Sequence, residues 1–127
     1  METRNNEFIR ISVELDRVGL VWNPEIGDEI SLRNEIERVS ILVDPQGLTP
    51  KELRQSFIWL PTVEQLVEQF EARQAMIYHV GVTNSLEYEA VIRSAQGIVE
   101  TAATSLRLAF GKALQELIIG CPARSMH

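Results

Sequence analysis

The stretch MIYHVGVTNSLEYEAVIR, residues 76–93, decides the fold class, because apolar and polar residues alternate on both sides of a turn-forming segment. Alternation with a period of two is typical of strands that have one buried face. Thr83-Asn84-Ser85 is a turn sequence of the length that joins two antiparallel strands. The stretch therefore predicts a β-hairpin.

A three-residue loop at those positions also fixes the expected register of the hairpin. It places Tyr78 opposite Ala90 and His79 opposite Glu89, and it keeps Tyr78 and Tyr88 on the same apolar face. A shift of one residue would mix the two faces, so burial selects this register. The sequence thus predicts a His79–Glu89 pair on the less buried face.

After the hairpin, the sequence predicts a third strand and a packed C-terminal helix. SAQG turns the chain and IVETA supplies the strand, so that a meander covers residues 77–101. Thr104 is the expected N-cap of a helix over 104–119, and Gly120 is its expected stop. Residues 120–127 are expected to form a flexible tail. The helix positions predicted to be buried are Leu106, Phe110, Leu114 and Leu117.

Before the hairpin, residues 49–76 have a helical pattern. Thr49 and Glu52 form a capping box with proline at the first helical position, which predicts a helix over 50–59. Pro61 ends that helix, because the residue before a proline is disfavoured in the helical region. A second helix, again opened by a capping box, follows from Thr62. The central helix pair is therefore broken at Pro61. The alternative interpretation makes residues 56–60 a short buried strand.

The N-terminal part, residues 1–48, is predicted to be mostly β. FIRISVEL, residues 8–15, alternates strictly, and VGLVW at 18–22 could pair with it in a hairpin. NPEIGDE, residues 23–29, has the composition of a loop. Further alternating segments follow at 29–33 and 37–44. With the meander and the helices, these segments predict an α+β fold with an N-terminal antiparallel sheet.

Bulk properties exclude several classes of protein. The 127 residues suit one domain, and the formal net charge of −6 does not favour nucleic-acid binding, which depends on phosphate neutralisation. Cys121 is the only cysteine, so no internal disulfide can form. The N-terminal residues lack the apolar region of a signal peptide, and no apolar run is long enough to span a membrane. We therefore expect a soluble protein in a reducing cytoplasm.

The residue patterns predict no catalytic residue, cofactor or metal. His79, Cys121 and His127 are the candidate soft ligands, and they do not have the spacing of a metal site. Glu25, Asp28 and Glu29 share a loop without the spacing of a calcium loop. They are expected to be solvated.

Aromatic residues provide the candidate interaction residues: Trp22, Phe57 and Trp59. Such residues are enriched at binding hot spots, although core packing is their commoner use. If 57–60 is a helix corner, Ile58 and Trp59 cannot both share the face of Phe57. We therefore expect Trp59 to meet either the N-terminal sheet or a second chain.

The order strand, strand, strand, helix over residues 77–118 resembles the compact module of HicB-type antitoxins. With the preceding helix at 62–75, it also resembles the element order of double-stranded RNA-binding domains. The chain departs from both patterns: SAQGIVE lacks the antitoxin's glycine-cysteine turn, and residues 104–107 lack the paired lysines of the RNA-binding domain. No functional residue is carried over from either family.

These observations favour a non-enzymatic binding or regulatory protein of bacterial type that acts through a protein partner or as a homodimer. One alternative is a small-molecule-binding or minor enzyme domain whose site is assembled from scattered residues. A second is a regulator linked to nucleic acid or similar to an antitoxin.

Overall fold

The structure is a computed structural model that describes residues 2–120, with side chains from Asn6 onward. Its contacts divide the chain into two compact units, unit 1 ending at Thr62 and unit 2 beginning at Val63. Each unit contains helices and one three-stranded antiparallel sheet. The predicted α+β class is therefore confirmed. That the whole chain is a single domain stays a prediction.

Unit 1 has its sheet in the order β2-β1-β3, and α1 packs against β2 and β3. A short helix, α2, leads directly into β3. The elements are α1 (Glu2–Arg17), β1 (Glu29–Leu32), β2 (Glu35–Ile41), α2 (Pro50–Ser56) and β3 (Phe57–Trp59). The two predicted strands at 29–33 and 37–44 correspond to β1 and β2.

Residues 8–15 were predicted to be a strand, and this prediction is wrong because they belong to helix α1. Phe8, Ser12 and Leu15 recur at helical spacing and are all buried. The strand pattern assigned Ser12 to the polar face, whereas the helix places it in the core. The apolar alternation through Ile11 and Val13 has the period of a strand, but both side chains are only half-buried in the helix.

Residues 18–22 are not a strand either. The chain leaves α1 through Gly19, whose φ of 109° is a backbone conformation that glycine adopts without steric cost. The Leu20 N–H then donates to the Leu15 carbonyl at 2.9 Å, which closes the helix end. Leu20 and Trp22 are buried, but from a loop. The predicted hairpin of 8–15 with 18–22 is thus replaced by a helix and its cap.

The capping box of α2 is confirmed, but the predicted helix over 50–59 is too long. The Thr49 hydroxyl accepts from the Glu52 N–H at 3.1 Å, and the Glu52 carboxylate accepts from the Thr49 N–H at 2.8 Å. The helix ends at Ser56, and Phe57–Trp59 pairs with β1. The alternative interpretation of 56–60 as a buried strand is therefore correct. Sheet pairing has overridden the helical spacing of the apolar residues.

Unit 2 has its sheet in the order β4-β5-β6, with α4 packed on β5 and β6 and with α3 packed on α4. Phe70 and Phe110 meet edge to face, with ring centroids 5.4 Å apart. The elements are α3 (Val63–Ala72), β4 (Met76–Val82), β5 (Tyr88–Ser94), β6 (Gly97–Ala103) and α4 (Leu106–Ile119). The predicted meander and the second central helix are confirmed.

The predicted C-terminal helix is present with its cap shifted by one residue. Ser105, not Thr104, is the N-cap, because its hydroxyl accepts from the Leu108 N–H at 3.1 Å. Phe110 and Leu114 are buried as predicted, whereas Leu106 and Leu117 are half-buried. Cys121 and the tail expected to be flexible lie outside the described residues.

The hairpin loop lies one residue later than predicted, at Asn84-Ser85-Leu86. The Thr83 N–H donates to the Glu87 carbonyl at 2.7 Å, and the Thr83 hydroxyl accepts from the N–H groups of Ser85 and Glu87, both at 3.2 Å. Thr83 therefore organises the turn from outside the loop. Leu86 takes the left-handed position, with a φ of 63°.

The strand register changes accordingly. His79 lies opposite Val91 rather than Glu89. A bulge just before His79 makes Tyr78 an extra residue of β4 that has no opposite residue in β5. The bulge rotates Tyr78 to the face opposite Tyr88. The predicted register is therefore wrong, although His79 and Glu89 still meet diagonally.

Candidate functional site

Trp22, the first predicted interaction residue, lies in the core of unit 1. It packs with Ile30, Leu42 and Leu53, and its indole N–H donates to the Asp28 carboxylate at 2.8 Å. The same carboxylate oxygen accepts from the Glu25 N–H at 2.9 Å. Asp28 is therefore a buried structural acceptor that orders its loop, not a solvated acid.

Phe57 and Trp59 are half-buried on β3 and pack against the same core. Trp59 lies opposite Ile30, and Phe57 lies opposite Leu32. The Trp59 side chain therefore meets the N-terminal sheet of its own chain, which is one of the two outcomes expected from the sequence. Its Nε1 is buried and has no hydrogen-bond partner within the described part of the chain.

Two arginines fix the loops around this aromatic cluster. Arg54 donates to the Trp22 carbonyl at 2.7 Å. Arg33 donates to the carbonyls of Arg54 and Phe57 at 2.6 and 3.1 Å, and it forms an ion pair with Asp16 at 3.1 Å. The loops around the aromatic cluster of unit 1 are thus held in place, and the interaction role of Phe57 and Trp59 stays a prediction.

The outer face of the unit 2 sheet, which is the face away from α4, carries a small polar group. The His79 Nε2 and a Glu89 carboxylate oxygen lie 3.2 Å apart. A Cβ atom at Gly81 would lie 2.8 Å from the same Nε2. The glycine therefore leaves room for the imidazole to cross over its own strand and reach Glu89.

On the same face the Arg93 guanidinium lies over the Tyr78 ring, 4.9 Å from its centroid. Glu100 lies opposite Val91 on the same face, so acidic groups accompany the basic ones. This face does not present the excess of positive charge that binding to phosphate groups requires. Among the side chains that the structure describes, from Asn6 to Gly120, no group of three or more His, Cys, Asp or Glu could hold a metal ion.

The cavities of unit 2 include one of about 370 Å³ beside the C-terminal end of α4. Arg73 and Gln96 line it, and the Arg73 guanidinium donates to the Gln69 side chain at 2.7 Å. Partial burial lowers the pKa of Arg73. This volume is at the lower end of the range for small-molecule sites.

β4 is an edge strand of the unit 2 sheet and pairs with β5 on one side only. Hydrogen-bonded and non-bonded pairs alternate along an antiparallel ladder, and Thr83 is bonded to Glu87. It follows that Gly81 bonds to β5, whereas Val80 and Val82 direct their N–H and C=O groups outward. No described residue hydrogen-bonds to these groups. We call these four groups and the two valine side chains the open edge.

The side chains of the open edge are exposed as well. Val80 is 41% and Val82 is 60% exposed on the face that α4 covers elsewhere, because α4 packs on β5 and β6. Tyr88, directly opposite Val82, is 40% exposed. An apolar strip therefore borders the unpaired backbone.

The other two long edge strands are protected. β2 carries Glu35, Glu37 and Arg38 among its seven residues. β6 carries the exposed Glu100, and the Lys112 ammonium donates to its outward-facing Ala102 carbonyl at 3.3 Å. Charged side chains of this kind prevent edge-to-edge association. β4 contains no Asp, Glu, Lys or Arg.

The hairpin tip next to the open edge combines exposure with an uncommon backbone. Leu86 is 81% exposed and has a φ of 63°, a conformation that costs a non-glycine residue about 1–2 kcal/mol. A large apolar side chain at this position contributes nothing to the core of unit 2. Backbone outliers of this type cluster at functional sites.

Comparison of the chain with protein-family models, with curated protein sequences and with solved structures finds no match. Unit 2 does have the order of three strands and a helix that resembles the antitoxin module, and with α3 before it the helix, three strands, helix order that resembles the double-stranded RNA-binding domain. That shared order concerns the arrangement of elements alone. Within the described residues, no helix is long and apolar enough to cross a membrane.

The open edge was not found from the sequence, although one signal was present. The segment MIYHVGV has no acidic residue, lysine or arginine, which is unusual for a strand at the edge of a sheet. The sequence could not show that β4 is an edge, because the order β4-β5-β6 depends on which strands pair. The aromatic content of the sequence indicated Trp22 and Trp59 as interaction residues instead.

Proposed function

We propose that this chain is a non-enzymatic binding or regulatory module that recognises an extended polypeptide by strand addition at the open edge of β4. The observation that supports this proposal is the pair of outward-facing residues Val80 and Val82, whose backbone groups have no partner in residues 2–120. A strand placed beside them gains main-chain hydrogen bonds along the whole edge.

The side chains around the edge add selectivity to the backbone contacts. An added strand would place alternate residues beside Val80 and Val82, on the face where Tyr88 is also exposed. Exposed apolar side chains bordering an unpaired strand favour ligands with alternating apolar residues. Leu86 is a further exposed apolar side chain, at the hairpin tip. The module is therefore expected to bind extended apolar segments rather than helices.

Peptide display tests the proposal directly. The full chain would select from a library of random peptides, and each recovered peptide would be measured against Val82→Pro and against Ile41→Pro as the matched control. Both prolines replace an outward-facing N–H of an edge strand, a position that tolerates proline because no ladder bond is lost. The control proline lies in β2 of unit 1.

We expect the recovered peptides to alternate apolar and polar residues and to bind the Ile41→Pro variant as they bind the unmodified chain. Binding to Val82→Pro should fall at least about 10-fold, because an N–H donor is removed and the strand approach is obstructed. Recovery of no peptide by a chain that is monomeric in the selection would contradict the proposal, and so would peptides that bind both variants equally well.

A further inference from the structure

We infer that the strand received by the open edge is β4 of a second copy of this chain, so that two copies pair antiparallel through Val80 and Val82. This inference rests on the proposed function, since it names the polypeptide that the edge binds. It follows from the short length of the open edge, from the symmetry of its sequence and from its charge.

The open edge is bounded at both ends. On one side the bulge at Tyr78 interrupts the regular strand, and on the other side Thr83 turns into the hairpin loop. Val80 and Val82 are therefore the two consecutive outward-facing residues of regular β geometry in this strand. A partner strand therefore has to present two outward-facing residues that are separated by one residue.

A second β4 meets that requirement when the two-fold axis passes through Gly81. Val80 of each copy then lies opposite Val82 of the other copy, and the two residues exchange both backbone hydrogen bonds. The two Gly81 residues form the intervening non-bonded pair, where the strands approach most closely. Centring the axis on either valine would bring the Tyr78 bulge or the loop into the ladder.

The charges around the edge favour a second copy over a charged partner. β4 has no acidic residue, lysine or arginine, so two copies face each other without like charges in opposition. The nearest histidine, His79, already has Glu89 as its partner at 3.2 Å. Pairing across this axis is isologous and closes after two copies. It joins the β4-β5-β6 sheets of the two copies into one continuous sheet.

Sedimentation of the full chain over a range of concentrations tests the inference. The variant V80K/V82K places ammonium groups of the two copies opposite one another. Its control is V39K/I41K in β2, where the ladder alternation also directs the backbone outward. Val39 and Ile41 are 43% and 48% exposed, close to the values of the β4 pair, and both variants change the net charge equally.

We expect the unmodified chain and V39K/I41K to form dimers, and V80K/V82K to dimerise at least about 100-fold more weakly, because like charges then meet in the interface. Dimerisation of the unmodified chain should strengthen with salt, since each copy carries a formal charge of −6 that salt screens. If V80K/V82K is unfolded by circular dichroism, Val82→Pro replaces it, with the same expected loss.

A monomeric chain at all concentrations would overturn the inference, and so would a dimer that V39K/I41K disrupts and V80K/V82K does not. The proposed function is tested separately by the selected peptides. A monomer that still binds those peptides at the open edge removes the second copy as occupant and leaves strand addition in place. A chain that neither dimerises nor selects peptides contradicts both.

Discussion

Edge strands β2 of unit 1 and β4 of unit 2 have the same length and similar exposure but opposite chemistry. Each has seven residues and two exposed aliphatic side chains whose backbone groups face outward. β2 has three charged residues and lies against α1, whereas β4 has none. This difference is the reason why we propose the unprotected edge of β4, and not the aromatic residues, as the surface that receives another chain.

The same contrast holds for the interiors of the two units. In unit 1, Trp22 is buried and bonded to a buried carboxylate, Trp59 packs half-buried against the same core, and an arginine donates to the Trp22 carbonyl. Unit 2 closes its core with Phe70 and Phe110 and leaves valines, Leu86 and Tyr88 outside. If this assignment is right, substitutions in the cores change stability, whereas substitutions at the open edge change association.

The largest expected effect is that of Phe110→Ala in unit 2. Removing a fully buried phenylalanine leaves a cavity against Phe70, so the free energy of unfolding should fall by about 3–5 kcal/mol in urea denaturation. Phe57→Ala in unit 1 is the comparison, and its half-buried ring should cost less. A loss below about 1 kcal/mol for Phe110→Ala would show that α4 is peripheral to the core.

The buried carboxylate of unit 1 comes next. Asp28→Ala leaves the Trp22 indole N–H and the Glu25 backbone N–H without their acceptor, which should cost about 1–3 kcal/mol. Glu25→Ala is the control, because its side chain is exposed and its backbone N–H is kept. Equal stabilities of the two variants in urea would mean that the hydrogen bonds of Asp28 do not hold the loop.

The two tryptophans should respond differently to phenylalanine. Trp59→Phe removes a buried Nε1 that has no partner in the described chain, so its cost should stay below about 1 kcal/mol. Trp22→Phe removes a satisfied hydrogen bond to Asp28 and should cost more. The stabilities of the two variants are compared in thermal melts, and their masses are measured by sedimentation. A folded but monomeric Trp59→Phe variant would reassign the interface to β3.

The smallest effect on stability is expected at the hairpin tip. Leu86→Gly should raise the free energy of unfolding by up to about 1 kcal/mol, because glycine adopts a positive φ without strain. Gln74→Gly is the matched control, with a φ of 58° at the end of α3. Both should stabilise the chain in urea, but only Leu86→Gly should weaken binding of the selected peptides. Weaker peptide binding by both variants would show that Leu86 is not part of the proposed binding surface.

The sequence predicted correctly the elements whose local pattern fits a single type of secondary structure. The capping box at Thr49, the Phe110 stripe and the meander all combine a period with a boundary signal, and the structure has them. The strict alternation of residues 8–15 predicts a strand with Ser12 on its polar face. Ser12 is buried instead, because it packs inside a helix, and that packing depends on contacts that a local pattern does not contain.

The candidate surface depends on information that is not local either. The register of β4 was missed because Thr83 organises the turn through its hydroxyl and because the bulge at Tyr78 adds a residue. The identity of an edge depends on strand order. The absence of charged residues from 76–82 can be read from the sequence, but it indicates an unprotected edge only when the strand order is known.

Amide hydrogen exchange, followed residue by residue in dilute and in concentrated samples, tests the central claim most directly. In the monomer the Val80 and Val82 N–H groups have no partner in residues 2–120, so protection that appears with concentration must come from a second chain. The outward-facing N–H groups of Val39 and Ile41 are the internal reference. We predict that Val80 and Val82 become protected as concentration rises while Val39 and Ile41 exchange rapidly throughout. Rapid exchange of Val80 and Val82 in a sample that sediments as a dimer would contradict the assignment of β4 as the binding edge.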